Sequence, residues 1–421
     1  MLRLAPWASL LIPMAIRERM KPGTRLLTAV GLYHFANDGA LAVLPLVLPV
    51  IKLRFDLSYT DIGALTAAGL LVTLVVQLLV SQYAHRFSPV RALTLGMATM
   101  FLFASMMVFV WDFASLLVFV IGMRIGAAVY HPLGLALVAQ KYANGKIDMA
   151  MGVQSSLGDM GVFLAFVTTG ALGAIFDWQS SFALWGAICL TAAIVGVALK
   201  VGSDAGYAPA GHDSRADMSW RDALGRIGIL LVPLTVGGAG YNIIVNYAPL
   251  MLQDAYGLDI GIYALVIALW VGTGAIFTLI FGQITSKVGR GNAIVASYAL
   301  IIASGLMIAL STSRWIVVLA MFLYGVGLFM TYPALFAYVT ERTGNRRSER
   351  AFGIVFTAQL TGGFLFSFIC GVLADAYTIK APFVVLSAIG AVAMVVTGLY
   401  LARRKPESPK TEASAANITL R

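Results

Sequence analysis

Several polar side chains of the sequence stand where their types and spacing could do chemistry inside an apolar setting. His34, Asn37 and Asp38 lie within the run LLTAVGLYHFANDGALAVLPLVLPVI, at a spacing that puts them on one helix face. A later run carries Arg124 and His131, also on one face. Histidine and carboxylate groups in this arrangement can take up and release protons or hold a charged ligand.

The composition shows what kind of element must position these residues. The chain has 421 residues, of which 60% are hydrophobic and only 11% are charged. Such a chain could not solvate itself, so the sequence predicts an all-α integral membrane protein. The net charge of +10 comes from Lys and Arg between the apolar runs, so we expect the lipid bilayer as partner and no nucleic acid.

Twelve apolar runs are long enough to cross a bilayer core of about 30 Å. They lie near 26–51, 61–83, 92–110, 115–139, 149–175, 180–200, 227–252, 261–284, 292–311, 315–339, 351–376 and 380–402. The predicted domains are an N-terminal tail (1–25), a six-helix bundle (26–200), a linker (201–226), a second six-helix bundle (227–403) and a C-terminal tail (404–421).

The distribution of Lys and Arg predicts the orientation of these spans. Of the 29 such residues, 24 fall in the two tails, the linker and the loops on the same side. Four fall in the opposite loops, and Arg124 lies within a span. Positive residues mark the cytoplasmic side, so both tails and the linker are predicted to be cytoplasmic.

The two halves of the sequence repeat each other at an offset of 201 residues. YHPLGLALVAQKY (130–142) falls on TYPALFAYVTERT (331–343). The coincidences include Gly and Pro pairs, which chance matches between apolar segments rarely share; they are Pro132 with Pro333, Gly152 with Gly353, Gly161 with Gly362 and Gly170 with Gly371. The sequence therefore predicts a duplication of six helices.

Two parallel six-helix halves joined by a linker resemble the major facilitator superfamily, which implies a central site that opens alternately to each side. SQYAHRFSPVRAL (81–93) and GQITSKVGRGNAI (282–294) are similar to the loop signature G-x-x-x-D-R-x-G-R-R/K of that superfamily. The resemblance implies a conformational loop that bridges the halves through Arg86, Arg91, Lys287 and Arg290. The same cations are also explained as positive-inside residues, because Asp is replaced in both copies.

Two short motifs narrow the resemblance to a subgroup. HFAND in the first span and RIGAAVYHPLG (124–134) in the fourth are similar to fosmidomycin-resistance-like efflux proteins. The resemblance implies that spans 1, 4, 7 and 10 line the central cavity.

The charged residues within the spans need partners. An Asp or Arg at a helix centre costs about 2.5 to 3.5 kcal/mol on insertion scales. Asp38 and Arg124 could form a structural ion pair, but Asp159 in the fifth span then remains as a second buried acid. We therefore expect proton coupling through Asp38, Asp159, His34 and Arg124, with Asp38 favoured as the partner of Arg124. His131 precedes Pro132, and we expect it to be a hydrogen-bonding residue at a helix bend.

The second half has no Asp, Glu, Lys or Arg in the middle of its spans, so substrate recognition there is predicted to be neutral. The candidate substrate-binding residues are Asn37, Arg124, His131, Asn242, Asn246, Tyr241, Tyr324 and Gln359.

These patterns predict a secondary transporter that moves a small molecule. The favoured function is a proton-coupled exporter of small amphipathic or anionic compounds, as a monomer in a bacterial or archaeal plasma membrane. Import of a metabolite by proton symport and a sensor or scaffold without turnover remain alternatives. No phosphate-binding loop, HExxH, CxxC or Ser-His-Asp pattern is present, so we expect no enzyme activity, cofactor or metal.

Overall fold

The structure is a computed structural model that describes residues 20–83, 86, 88–142, 147–199, 219–343 and 348–403. The predicted C-terminal tail lies outside these residues, as do most of the predicted N-terminal tail and linker.

The described residues fold almost entirely into α-helices, without a strand among them. In chain order, the helices of the first half are α1 (Pro22–Arg54), α2 (Tyr59–Tyr83), α3 (Pro89–Met106), α4 (Phe113–Ala128), α5 (Tyr130–Tyr142), α6 (Ile147–Ile175) and α7 (Gln179–Ala198). Those of the second half are α8 (Trp220–Asp254), α9 (Ile260–Leu279), α10 (Phe281–Val288), α11 (Arg290–Leu310), α12 (Arg314–Thr343), α13 (Ser348–Ala376) and α14 (Ala381–Ala402).

Twelve helical segments in the described chain are long and apolar enough to cross a membrane, which agrees with the predicted count. The fourth of them is broken between α4 and α5 at Val129. Proline has no amide hydrogen, and its ring clashes with the carbonyl four residues earlier. Pro132 therefore accounts for the break after Ala128.

The described helices fall into two compact units, which differ from the two sequence halves. The first unit contains the helices of the first half together with Ile244–Val271 and Phe364–Ile379. The second contains the rest of the second half.

Each unit contains the same close crossing of two helices. In the first, a Cβ added to Gly161 on α6 would lie 2.2 Å from the carbonyl oxygen of Phe35 on α1. In the second, a Cβ on Gly362 of α13 would lie 2.0 Å from the carbonyl oxygen of Thr235 on α8. Only glycine allows two backbones to approach so closely, and the recurrence agrees with the predicted repeat.

Polar contacts join the loop end of α1 and α2 to the second-half segments of the first unit. Lys52 Nζ lies 3.6 Å from Asp254 Oδ2, and the Tyr59 hydroxyl donates to the same carboxylate at 2.6 Å. Asp375 accepts hydrogen bonds from the amides of Tyr59 at 3.0 Å and Thr60 at 2.7 Å, and from the Thr60 hydroxyl at 2.6 Å. These five residues are called the polar seam below.

Candidate proton and substrate site

The centre of the site is the carboxylate of Asp38 on α1. Its Oδ2 lies 3.0 Å from Nε2 of His34, one helical turn away. Asn37 donates a 2.8 Å hydrogen bond from Nδ2 to Oδ1 of Asp38. Both neighbours are buried, with 7% of His34 and 0% of Asn37 exposed, while the Asp38 side chain is 23% exposed. The helical spacing of these residues thus gathers them around one carboxylate.

The break between α4 and α5 brings a second histidine to the same carboxylate. Nε2 of His131 lies 3.6 Å from Oδ1 of Asp38, and its ring meets the His34 ring edge-on at 5.5 Å between centroids. The sequence favoured Arg124 as the partner of Asp38, but the ion pairs of Asp38 in the structure are with the two histidines. Because the chain turns at Val129, residues after the turn leave the stripe of α4, and His131 reaches Asp38.

The Arg124 side chain lies against α2. A Cβ on Gly69 would meet Cγ and Nε of Arg124 at 3.2 and 3.3 Å. The side chain also lines a cavity of about 10 Å³ with Ala40 and Leu44, which follow Asp38 along α1. A cavity of this size holds about one water molecule.

Asp159 is exposed, whereas the sequence led us to expect a buried acid. It follows Gly158, where an added Cβ would lie 2.5 Å from the His34 ring, so α6 presses on His34 at this point. Asp38 and His34 still act on Asp159 electrostatically. The site therefore holds a histidine-paired acid and an exposed acid.

Two residues that the sequence analysis missed hold the His34 ring. Tyr130 stacks on it at 4.6 Å between centroids and 19° between planes, and its hydroxyl donates to the carbonyl of Val30 at 3.1 Å. Gln154 is fully buried, and its main-chain oxygen lies 2.8 Å from Nδ1 of His34. Its amide nitrogen donates to the Tyr130 hydroxyl at 2.7 Å. The signal in the sequence was a polar amide within the predicted fifth span, which does not reveal its partner.

The ligand atoms of His34, Asp38 and His131 lie within 4.8 Å of one another, a spacing that metal sites share. Nε2 of His34 and Oδ2 of Asp38 are already at hydrogen-bond distance. This pairing fits a shared proton.

The second unit holds four of the predicted substrate residues. Asn242 on α8 donates from Nδ2 to the carbonyl of Gly238 in its own helix, at 2.9 Å. The Gln359 backbone on α13 packs on Gly238, and the buried Tyr324 on α12 has its hydroxyl against Gly240. Tyr241 is partly buried beside Asn242. The glycines of α8 therefore allow α12 and α13 to pack closely against it, and polar side chains lie beside these glycines.

Asn246, one turn from Asn242, belongs to the first unit. It is 3% exposed, and its Nδ2 donates to Oγ of Ser367 at 3.3 Å. The predicted stripe on α8 is thus divided between a partly exposed amide and a buried one.

The four loop cations have different surroundings. Arg86, Arg91 and Lys287 are exposed, and Arg86 lies over the Tyr83 ring at 5.1 Å. Arg290 is ion-paired with Glu341 and lies over the Tyr338 ring at 5.4 Å. Arg290 therefore links the start of α11 to the end of α12 within the second unit.

Fold and site define a multi-pass membrane protein with ionisable groups enclosed by its helices. The family profile described as Major Facilitator Superfamily matches residues 30–367, so the chain belongs to that superfamily. Its members are transporters and not enzymes. The assignment to the fosmidomycin-resistance-like subgroup stays a prediction.

Two relatives illustrate the similarity in sequence. The uncharacterized MFS-type transporter YfnC of Bacillus subtilis (strain 168) is 27% identical over 174 residues, which are 39% of this chain and 42% of the relative. The probable L-galactonate transporter of Escherichia coli (strain K12) is 24% identical over 289 residues, 63% of this chain and 62% of the relative. Each alignment thus spans less than two thirds of the relative.

Solved structures share the fold. A bacterial homolog of the human lysosomal transporter Spinster, in an inward-facing and unoccupied conformation, superposes with a TM-score of 0.77 at 16% identity, covering 92% of this chain and 99% of that one. The nucleoside transporter NupG superposes with a TM-score of 0.72 at 14% identity, covering 92% of this chain and 100% of that one. At these identities the likeness shows the fold alone.

Proposed function

We propose that the chain is a proton-coupled transporter that works by alternating access and exports small amphipathic or anionic compounds. The cluster of Asp38, His34 and His131, with Asp159 nearby, carries the proposal. Ionisable groups within membrane helices are costly, and in transporters they mark substrate or proton pathways. The protein is proposed to be a monomer in a bacterial or archaeal plasma membrane, with both termini in the cytoplasm.

The difference between the two halves supports a division of labour. At the offset of 201 residues, Asp38 corresponds to Ala239 and Asp159 to Leu360. The first half therefore carries the proton site. The second half reads the substrate through neutral groups, with Asn242 foremost and with Tyr241, Asn246, Tyr324 and Gln359 beside it. Asn37, His131 and Arg124 are the first-half contacts proposed for the substrate.

The loop cations complete the proposed cycle. Arg86 and Arg91 of one half and Lys287 and Arg290 of the other are proposed to bridge the halves when the site closes toward the cytoplasm. The ion pair of Arg290 with Glu341 fixes one of these cations in place.

Import by proton symport is the second candidate. It is favoured by the similarity to a protein named as a probable L-galactonate transporter, which suggests an organic acid as the substrate class to try first.

Substrate-induced proton flux tests both candidates. Proteoliposomes with an internal pH dye would be challenged with sugar acids, nucleosides and lipophilic organic anions under an imposed pH gradient. Proton movement opposite to the compound supports export, and movement with it supports symport. Net transport of a compound down its gradient without any proton movement in the wild type overturns proton coupling. Asp38→Asn and Asp159→Asn should lose the coupled flux but keep counterflow, and Asn242→Ala, which lacks a titratable change, should keep the coupling.

A further inference from the structure

We infer that Gln154 and Tyr130 are positioning residues that hold His34 as a cation beside Asp38, which leaves Asp159 as the group that exchanges the proton. The inference rests on the proposed proton coupling and assigns different tasks to the two acids.

Both ring nitrogens of His34 face oxygen atoms. Nδ1 lies 2.8 Å from the main-chain oxygen of Gln154, which can only accept a hydrogen bond. Nε2 lies 3.0 Å from Oδ2 of Asp38. A neutral imidazole has one N–H group and an imidazolium has two. Two acceptors are therefore satisfied together only by the protonated ring.

The surroundings keep the ring in this place. Tyr130 covers one face, and the absence of a side chain at Gly158 leaves room for the ring to reach the Gln154 carbonyl. The Gln154 amide group also lies 2.8 Å from Nδ1. Since the two ends of an amide are assigned from the hydrogen-bond network, the end facing a protonated Nδ1 is the oxygen. The Tyr130 hydroxyl lies 2.7 Å from the same end of that amide, so in this state it donates to the amide oxygen instead of to the Val30 carbonyl.

Asp38 is fully engaged by this arrangement. Its two oxygens are shared among His34, His131 and the amide of Asn37. A carboxylate that is paired with a cation and also accepts hydrogen bonds holds its negative charge. Asp38 therefore acts as the fixed counter-ion of His34.

Asp159 has the surroundings of an exchanging group. Among the described residues, no Lys, Arg or His nitrogen lies within ion-pair distance of it, and its side chain is exposed. It precedes Gly170 by 11 residues, or about three helical turns, so the two share one face of α6. A Cβ added to Gly170 would lie 2.6 Å from the Cβ of Ala264 on α9, so this face of α6 packs against α9 at Gly170.

The ionisable groups around Asp159 can be named element by element. On α1 they are Asp38 and His34, and on α5 His131 lies beside them. The stretch Ile260–Val271 of α9, which approaches the same face of α6, contains Tyr263 but no Asp, Glu, Lys, Arg or His. Protonation of Asp159 is therefore controlled by the charge of the pair formed by His34 and Asp38.

Two spectroscopic measurements on the purified full-length protein test the inference without a substrate. The chain has four histidines, so ¹⁵N-histidine NMR can resolve His34 once His34→Gln assigns its signal. We expect both nitrogens of His34 to be protonated at about pH 7.5 in the wild type. In Gln154→Leu and Tyr130→Phe we expect that state to be less populated, because the amide or hydroxyl that holds the ring is removed while the main-chain oxygen remains. Thr331→Val, at the repeat position of Tyr130, should retain it. A singly protonated His34 in the wild type overturns the inference.

The second measurement is the infrared band of the protonated carboxyl group across a pH series. We expect a titrating band that disappears in Asp159→Asn and persists in Asp38→Asn. A band that disappears only in Asp38→Asn reverses the two tasks and overturns the inference. Both results are independent of proton flux in vesicles. A doubly protonated His34 with uncoupled transport would therefore reject the proposed function but keep the positioning role.

Discussion

The crossing of α1 with α6 and that of α8 with α13 each place a glycine against a backbone carbonyl, but the side chains beside the two glycines differ in chemistry. Gly161 and Gly362 play the same part in both. His34 of the first crossing corresponds to Thr235 of the second, and Gly158 corresponds to Gln359. The two halves have thus kept the close approach of the helices, while the side chains beside it diverged. They form an ionisable cluster in the first half and a neutral surface in the second.

The largest expected effect tests what the crossings share. Gly161→Ala and Gly362→Ala would each force a Cβ to within 2.2 or 2.0 Å of a carbonyl oxygen, so the helices must separate. Overpacking of a core typically costs about 1–3 kcal/mol, and a clash with backbone lies at the upper end of that range or beyond it.

We expect a severe loss of folded protein in both variants, measured by fluorescence-detected size-exclusion chromatography. Gly152→Ala is the control, because nothing lies within 4 Å of its added Cβ. Tolerance of only one of the two crossing substitutions would show that the crossings are not equivalent.

The next effect tests what the crossings do not share. Asp38→Ala strands the His34 cation. Removing one partner of a fully buried pair costs about 3–5 kcal/mol, and because 23% of the Asp38 side chain is exposed we expect a smaller loss here, below that of the glycine substitutions. The double variant His34→Ala with Asp38→Ala should be more stable than the sum of the single losses, by about 0.5–3 kcal/mol. Thermal unfolding of all three variants in detergent gives these values. Thr235→Ala, at the repeat position of His34, should have a small effect, and strict additivity of the two first-half losses would contradict the pairing.

A smaller expected effect distinguishes Asn242 from Asn246, the two asparagines of α8. Asn246→Ala removes a buried hydrogen bond to Ser367 and should cost about 0.5–1.5 kcal/mol of stability. Asn242→Ala removes only a bond within its own helix, and we expect it to change substrate selectivity severalfold with the pH profile retained. Uptake into inverted vesicles across a pH series checks this, and a displaced pH profile in Asn242→Ala would count against the division of labour.

The smallest expected effect concerns the residues that precede α4 and α12, which occupy the same repeat position. Hydrogen bonds from Ser115 hold the pKa of Asp112, the N-cap of α4, below its ordinary value. Because the pKa is lower in the folded state, the cap stabilises above about pH 3.9, the ordinary carboxyl value, and that contribution fades as the pH falls through the folded pKa.

Ser313 occupies the repeat position before α12 and does not titrate in this range. Asp112→Ser should therefore make unfolding slightly less sensitive to acid. An unchanged acid dependence would mean that the cap contributes nothing measurable.

Periodicity and composition were enough to predict the fold, because twelve apolar runs and a 201-residue offset are properties of the chain itself. They also placed His34, Asn37 and Asp38 on one face. The contact of His131 with Asp38 could not be predicted, since it depends on how far the chain turns at Val129. Gln154 was missed because its partner is 120 residues away, and no local pattern records that distance.

The exposure of Asp159 was beyond sequence reasoning for another reason. A helical run shows which residues share a face, but not which face a neighbouring helix covers along each part of its length. Asp159 and Gly170 share a face of α6, yet the first is exposed and the second buried.

The polar seam makes the protein sensitive to the salt concentration of the solution at this end of the molecule. Attraction between exposed charges is screened over about 8 Å at physiological ionic strength. The side chains of Lys52 and Asp254 are 19% and 20% exposed, so added salt weakens their attraction only in part, while the direct hydrogen bonds to Asp375 persist. In the alternating-access cycle proposed above, these contacts would part whenever this end of the protein opens. The salinity of the medium would then act on the rate of turnover through a contact remote from the residues that bind proton and substrate.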